Sequence, residues 1–207
     1  MDKVNQWNKF AKYSGDTLVE KCCHYFDLIN LFAGAKAKQV YASGSMGVNF
    51  TAFEYNGEKS DILDNAFVII DYENGVRANF SLCMFAPMFY EELVVCGDAG
   101  RLRAWEQKDF LPNGDLSSNL EIICGEDKLS RRIEPAYPRW IEDSGHNGAT
   151  FYEHVYFVDS IEGKPTTMAS AREGLWSVIV ASAAQESIKQ GRAINIQDYL
   201  AENNINL

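Results

Sequence analysis

Between Asn65 and Ile133 the chain repeats one pattern three times: a run of strand-forming residues, a turn rich in Gly, Asn and Asp, and a second run. Two strands joined by so short a turn must lie antiparallel, so this segment excludes a parallel β–α–β architecture. In the first hairpin Asn65 to Tyr72 leads through Glu73-Asn74-Gly75 into Val76, Ala78, Phe80, Leu82 and Met84, which alternate with Arg77, Asn79, Ser81 and Cys83. That alternation gives a strand with one apolar face. The second hairpin joins Glu92–Cys96 to Arg101–Trp105 through Gly97-Asp98-Ala99-Gly100. The third joins Leu120–Cys124 to Leu129–Ile133 through Gly125-Glu126-Asp127. Gln39 to Ala42 and Val48 to Glu54 are expected to add strands ahead of them. Phe110 to Ser118 and Pro135 to Gly148 read as loops.

Helices flank this meander. Thr17-Leu18-Val19-Glu20 has the form of a capping box, and the apolar run continues to Ala33 before Gly34, a good helix terminator. Apolar residues cover most of its circumference, which predicts a buried helix. Ala149 to Glu162 and Ala169 to Gln190 read as two further helices; the last carries a capping box at Ser170–Glu173 and stops at Gly191. Strands in the middle with helices before and after predict one α+β domain over residues 1–207, an open-faced, mostly antiparallel sheet with helices packed on one face.

The net charge of -10 argues against nucleic-acid and anionic membrane partners. Met1-Asp2-Lys3-Val4-Asn5 leads into mixed polar sequence and not into the apolar core of a signal peptide. The oily stretch from Gly174 to Ala184 falls short of the ~20 apolar residues needed to span a bilayer. These features suggest a cytoplasmic protein. The five cysteines include no C-x-x-C pair, and neighbouring Cys22 and Cys23 on a helix point about 100° apart, a poor disulfide geometry. Both read as core filling. No glycine-rich nucleotide loop, nucleophile elbow or H-E-x-x-H occurs.

The polar residues of the first helix raise the functional question. Glu20, His24 and Asp27 are spaced four and three apart and form one stripe, with Lys21 beside it. The plain reading makes Glu20 a capping carboxylate, Asp27 a structural ion and His24 a satisfied histidine. Against it, an acid four residues before a histidine can hold the imidazole and set its tautomer, as a proton-transfer residue requires. A polar stripe on a buried helix must also face something polar. A metal held by His24 with His146 or His154 and Glu20, Asp27 or Glu153 fits poorly, because His146 and His154 are eight apart with Thr150 between them. No metal is therefore expected.

The segment S-G-D-T-L-V-E-K-C-C-H-Y-F-D-L, Ser14 to Leu28, resembles the second-domain motif of the Gfo/Idh/MocA oxidoreductases, which include inositol and glucose–fructose oxidoreductases. Gly15, Glu20, His24 and Asp27 stand at the motif positions. The tail A-R-E-G-L-W-S-V-I-V-A-S-A-A-Q-E-S-I-K-Q-G-R-A-I-N-I, Ala171 to Ile196, is similar to the family's closing helix and last strand. Such enzymes begin with a Rossmann domain bearing a glycine fingerprint and an E-K-P motif; neither is present. Glu20-Lys21 is followed by Cys22 and is not that motif, and Glu20 stands where Asp is commoner.

The resemblance implies the substrate-binding and oligomerisation domain of an NAD- or NADP-dependent dehydrogenase acting on the CH–OH group of a sugar or cyclic polyol. On that reading the missing Rossmann domain supplies the cofactor site, and this chain alone binds no cofactor and is inactive. His24 and Glu20 are the expected catalytic residues, with Glu20 orienting His24, and Lys21 and Asp27 lie toward the substrate. The resemblance also implies a homo-oligomer joined through the sheet face. Two other readings remain open: a non-catalytic assembly domain that dimerises through its sheet, and a stand-alone metal-dependent enzyme.

Overall fold

The computed structural model describes residues 3–108, 116–125 and 130–207. In chain order, helices α1 (Ala11–Ser14), α2 (Thr17–Glu20) and α3 (Cys23–Ala33) precede strand β1 (Ala37–Ser45). A small hairpin, β2 (Glu54–Tyr55) and β3 (Glu58–Lys59), leads to β4 (Asn65–Tyr72) and β5 (Arg77–Cys83). Then come β6 (Tyr90–Gly97), β7 (Gly100–Lys108), β8 (Leu116–Ile123), β9 (Arg131–Ile133), α4 (Arg139–Glu142) and α5 (Ala149–Ile161). The chain closes with α6 (Ala171–Gln190), β10 (Ile194–Asn195) and α7 (Ile196–Glu202). The fold is α+β, every strand pair among the described residues is antiparallel, and the predicted hairpins form. Residues 110–115 of the expected loop and the turn residues 126 and 127 lie outside the described residues, and α4 forms inside the expected loop 135–148.

Two compact units result. The first comprises the described residues up to Phe85 together with Ala169–Leu207; the second comprises those of Ala86–Met168. In the first unit the sheet order is β10-β1-β4-β5. Alternation decides its faces: Val40, Ala42, Ala66, Val68, Ile70 and Tyr72 are buried, whereas Tyr41, Phe67 and Ile69 are exposed. The buried face packs against α3 and α6 through Phe26, Ile179, Val180 and Ala183. Burying each large aliphatic or aromatic side chain contributes about 1.5–3 kcal/mol. Phe26 and Tyr25 meet the ring of Phe80 at 5.1 and 5.5 Å. Small residues along α6 let it lie close to β1, where the Ser187 hydroxyl accepts from the Ala42 N–H at 2.9 Å. The Ser170–Glu173 capping box and the left-handed Gly191 stop both form as predicted.

Of the strand expected over Val48 to Glu54 only Glu54 joins one, at the start of β2. The carboxylate of Asp64, fully buried, instead accepts from the N–H groups of Gly47, Val48 and Asn49 at 2.9, 2.8 and 2.6 Å. Backbone donors drawn onto one carboxylate cannot serve a strand ladder, so the segment turns. The Asn74-Gly75 turn does more than reverse the chain. Asn74 Nδ2 donates to the carbonyl of Ala33 at the end of α3, and its Oδ1 accepts from Val76 N.

The second unit holds a four-stranded sheet in the order β6-β7-β8-β9. Asp98 and Ala99 alone separate the paired Gly97 and Gly100. On one face Arg103 pairs with Glu92 and, at 3.9 Å, with Glu121, which also meets Arg132. Both guanidinium groups lie over the Trp105 ring. No helix among the described residues is long and apolar enough to cross a membrane.

Candidate functional site

The segment before α2 enters by way of Gly15, at φ 75°, and Asp16, at φ 73°. Asp16 Oδ1 accepts from Thr17 N at 2.6 Å and from Leu63 N at 2.9 Å, while the Thr17 hydroxyl donates to Leu63 O at 2.5 Å. The expected capping box between Thr17 and Glu20 therefore does not form. Leu63 takes the Thr17 hydroxyl, Asp16 becomes the cap, and Glu20 is released to pair with Lys21 at 3.3 Å. An Asp directly ahead of Thr17 was the available signal, since Asp is at least as good a helix cap as Thr.

The predicted helix from Thr17 to Ala33 is broken. The Thr17 carbonyl accepts from both Lys21 N, at 3.0 Å, and Cys22 N, at 3.2 Å, and α3 starts afresh at Cys23. A wide turn of this kind inserts one residue and rotates the residues of α3 by about 100° around the axis. The single polar stripe is thereby split. Among the described residues no hydrogen bond or ion pair joins Glu20 to His24; Glu20 goes with Lys21, and His24 acts electrostatically on Asp27.

The helix is also not buried all round. Cys22, Phe26 and Ala33 face the core, while His24 is exposed and Leu28 and Leu31 are 42% and 65% exposed. Positions 24, 28 and 31 share one face, so the imidazole sits in an apolar, open stripe. Partial burial and the charge of Glu173, at the start of α6, raise the carboxyl of Asp27 above its ordinary value, and the imidazole of His24 opposes them. Burial pushes the Cys22 thiol up to about 12, which removes it as a nucleophile. An open imidazole beside a carboxyl that is easier to protonate can exchange a proton with a bound hydroxyl.

His146 and His154 belong to the other unit, and among the described residues no three His, Cys, Asp or Glu side chains converge as metal ligands. Dinucleotide cofactors bind where a parallel strand meets a helix N-terminus through a glycine-rich turn; the strand pairings among the described residues are antiparallel.

Residues 1–196 match the model of an oxidoreductase family described as its C-terminal alpha/beta domain, Gfo/Idh/MocA. The chain belongs to that family. An uncharacterized oxidoreductase, YrbE, of Bacillus subtilis is 23% identical over 189 residues, covering 91% of this chain and 50% of that protein. Myo-inositol 2-dehydrogenase of Thermotoga maritima is 21% identical over 194 residues, covering 92% of this chain and 52% of its own. The chain thus spans about half the length of these curated relatives. Among solved structures, the WlbA dehydrogenase of Bordetella pertussis, in complex with NADH and UDP-GlcNAcA, superposes with a TM-score of 0.60 at 16% identity. That match covers 92% of this chain and 48% of the other. The aldose-aldose oxidoreductase of Caulobacter crescentus, complexed with glycerol, gives 0.61 at 13% identity, with coverage of 94% and 52%. At such identities the structures establish the shared fold of this Gfo/Idh/MocA domain.

Proposed function

We propose that the chain is the substrate-binding and oligomerisation domain of an NAD(P)-dependent dehydrogenase acting on the CH–OH group of a sugar or cyclic polyol. The observation that carries this reading is the open face of α3, where His24 stands with Leu28 and Leu31. Exposed apolar side chains around a titratable group suit a surface that another body covers. His24 takes up or releases the proton of the substrate hydroxyl. Asp27 faces it as the neighbouring charge, and Glu20 and Lys21 form a separate pair that reaches the substrate from α2. The nicotinamide and its binding site come from a nucleotide domain outside these residues, so this chain alone is inactive. The exposed Tyr41, Phe67 and Ile69 on the sheet of the first unit provide the oligomer contact. Five free cysteines accord with a cytoplasmic location.

That apolar sheet face equally favours an assembly domain without catalysis. The two readings part at His24, which only the first makes indispensable. The test of the domain reading is calorimetric titration of NADH and NADPH into this chain, with its mass in solution measured alongside. A folded oligomer that binds neither supports the proposal; micromolar binding to these residues overturns it.

A further inference from the structure

The dipeptide Asn-Gly occurs four times, at Asn56-Gly57, Asn74-Gly75, Asn113-Gly114 and Asn147-Gly148. The third lies outside the described residues. Such pairs are chemically labile: the glycine backbone nitrogen, once it gives up its proton, can attack the side-chain carbonyl carbon Cγ of the asparagine before it. Glycine permits this because no Cβ screens the nitrogen. The attack requires an asparagine amide free to turn toward that nitrogen and a glycine N–H that is not held in a hydrogen bond.

Two of the three described pairs fail on both counts. Asn74 Nδ2 donates to the Ala33 carbonyl at 2.9 Å, its Oδ1 accepts from Val76 N at 3.1 Å, and Gly75 N donates to the Tyr72 carbonyl at 3.1 Å. Asn147 Nδ2 donates to Glu106 Oε1 and, at 3.4 Å, to the Ser118 hydroxyl, while Gly148 N donates to the Gly145 carbonyl at 3.1 Å. Each bond that must open first slows the attack roughly fivefold. Asn56-Gly57 differs. These are the two central residues of the β2–β3 hairpin, at φ 52° and 79°; both are exposed, and a Cβ added to Gly57 would meet nothing within 4 Å. In so tight a turn the flanking residues carry the ladder bonds. Among the described residues neither the Asn56 amide nor the Gly57 N–H has a hydrogen-bond partner.

We infer that Asn56 is a site of self-modification, converting in the folded protein to a mixture of aspartate and isoaspartate. The bond from Gly57 N to Cγ forms as the bond from Cγ to Nδ2 breaks; ammonia leaves and a succinimide ring closes. Water then opens the ring at either carbonyl, so one water is consumed for each ammonia released and nothing is oxidised or reduced. The aspartyl product adds a negative charge to a hairpin that already bears Glu54 and Glu58. The isoaspartyl product also puts an extra carbon into the backbone of a two-residue turn. Glu58, which follows that turn, holds Lys12 of α1 at 2.6 Å, so the change acts on the tie between hairpin and helix.

The test keeps the full chain in mildly alkaline buffer, with and without urea, and maps the asparagines over time by tryptic digestion and fragmentation mass spectrometry. Cleavage after Lys38, Lys59, Arg77, Arg139 and Lys164 leaves Asn56, Asn74 and Asn147 in separate peptides. In the folded chain Asn56 should convert about tenfold faster or more than Asn74 and Asn147, which each lie behind several hydrogen bonds. In urea, where only the shared dipeptide remains, the three rates should converge to within about threefold. A smaller lead in the folded chain overturns the inference, and so does a lead that urea does not remove.

Discussion

The hydroxyl of Tyr72, at the end of β4, donates to the side-chain oxygen of Asn30, on α3, across 2.7 Å. This bond fixes how far α3 lies along the sheet, and burial raises the phenol's pKa so that it stays a donor. Tyr72→Phe removes the donor and leaves the Asn30 oxygen unpaired. A loss of about 1 kcal/mol in urea unfolding is expected, with the slope unchanged.

Asp64 gives the chain a pH-dependent stability. Burial pushes its carboxyl up, but the N–H groups of Gly47 and Val48, the Asn65 amide and the N–H of Asn49 together hold it below its ordinary 3.8. A carboxyl depressed in the folded state stabilises fully above the unfolded value and loses that contribution as the pH falls through the folded value. Wild-type stability should therefore drop below about pH 4 more steeply than that of Asp64→Asn. At pH 7 Asp64→Ala, which orphans three backbone donors, should lose about 3 kcal/mol.

The cysteines should differ sharply in reactivity. Cys22 is fully buried with its thiol pushed up to about 12, whereas Cys83 and Cys96 are exposed. At pH 8 the thiolate fraction of Cys22 is on the order of 10⁻⁴. Titration with an aromatic disulfide, followed by peptide mapping, should label Cys83 and Cys96 first and Cys22 only on unfolding.

Gly100 is required by space. A Cβ there would lie 2.3 Å from the carbonyl oxygen of Ile123 on the neighbouring strand. Gly100→Ala must push β7 from β8 and should cost about 2 kcal/mol, seen as early loss of amide protection in the second unit.

On the proposed function, replacing His24 should separate function from folding. Exposed and without a hydrogen-bond partner among the described residues, it should be replaceable by Ala with a change in melting temperature under about 2 °C. When the chain is joined to a nicotinamide domain, the same change should lower kcat/KM by about 100-fold or more, the usual scale of acid–base catalysis.

What could be read in advance was local. Ser170–Glu173, Gly191 and the Asn74-Gly75 turn act within a few residues, so their sequence spacing is also their geometry. The misread features depend on distant partners. Thr17 lost its capping role to Leu63, 46 residues away, and Val48 and Asn49 lost their strand to Asp64. Leu28 and Leu31 looked like core because apolar character is visible in a sequence whereas the absence of a covering surface is not. The hydrogen bonds that Ser118 and Asn147 donate to Glu106 escaped notice because the three residues come together only after β7, β8 and the segment before α5 have folded.

The interruption at Lys21–Cys22 has one further result. Asp16 and Thr17 fasten α2 to Leu63, just before β4 begins, while Asn30 fastens α3 to Tyr72, where β4 ends. The start of α2 and the far end of α3 are thus moored at opposite ends of one eight-residue strand. That strand is the ruler of the two helices: adding or deleting two residues within β4 would preserve its facing pattern yet reset the spacing between the two moorings.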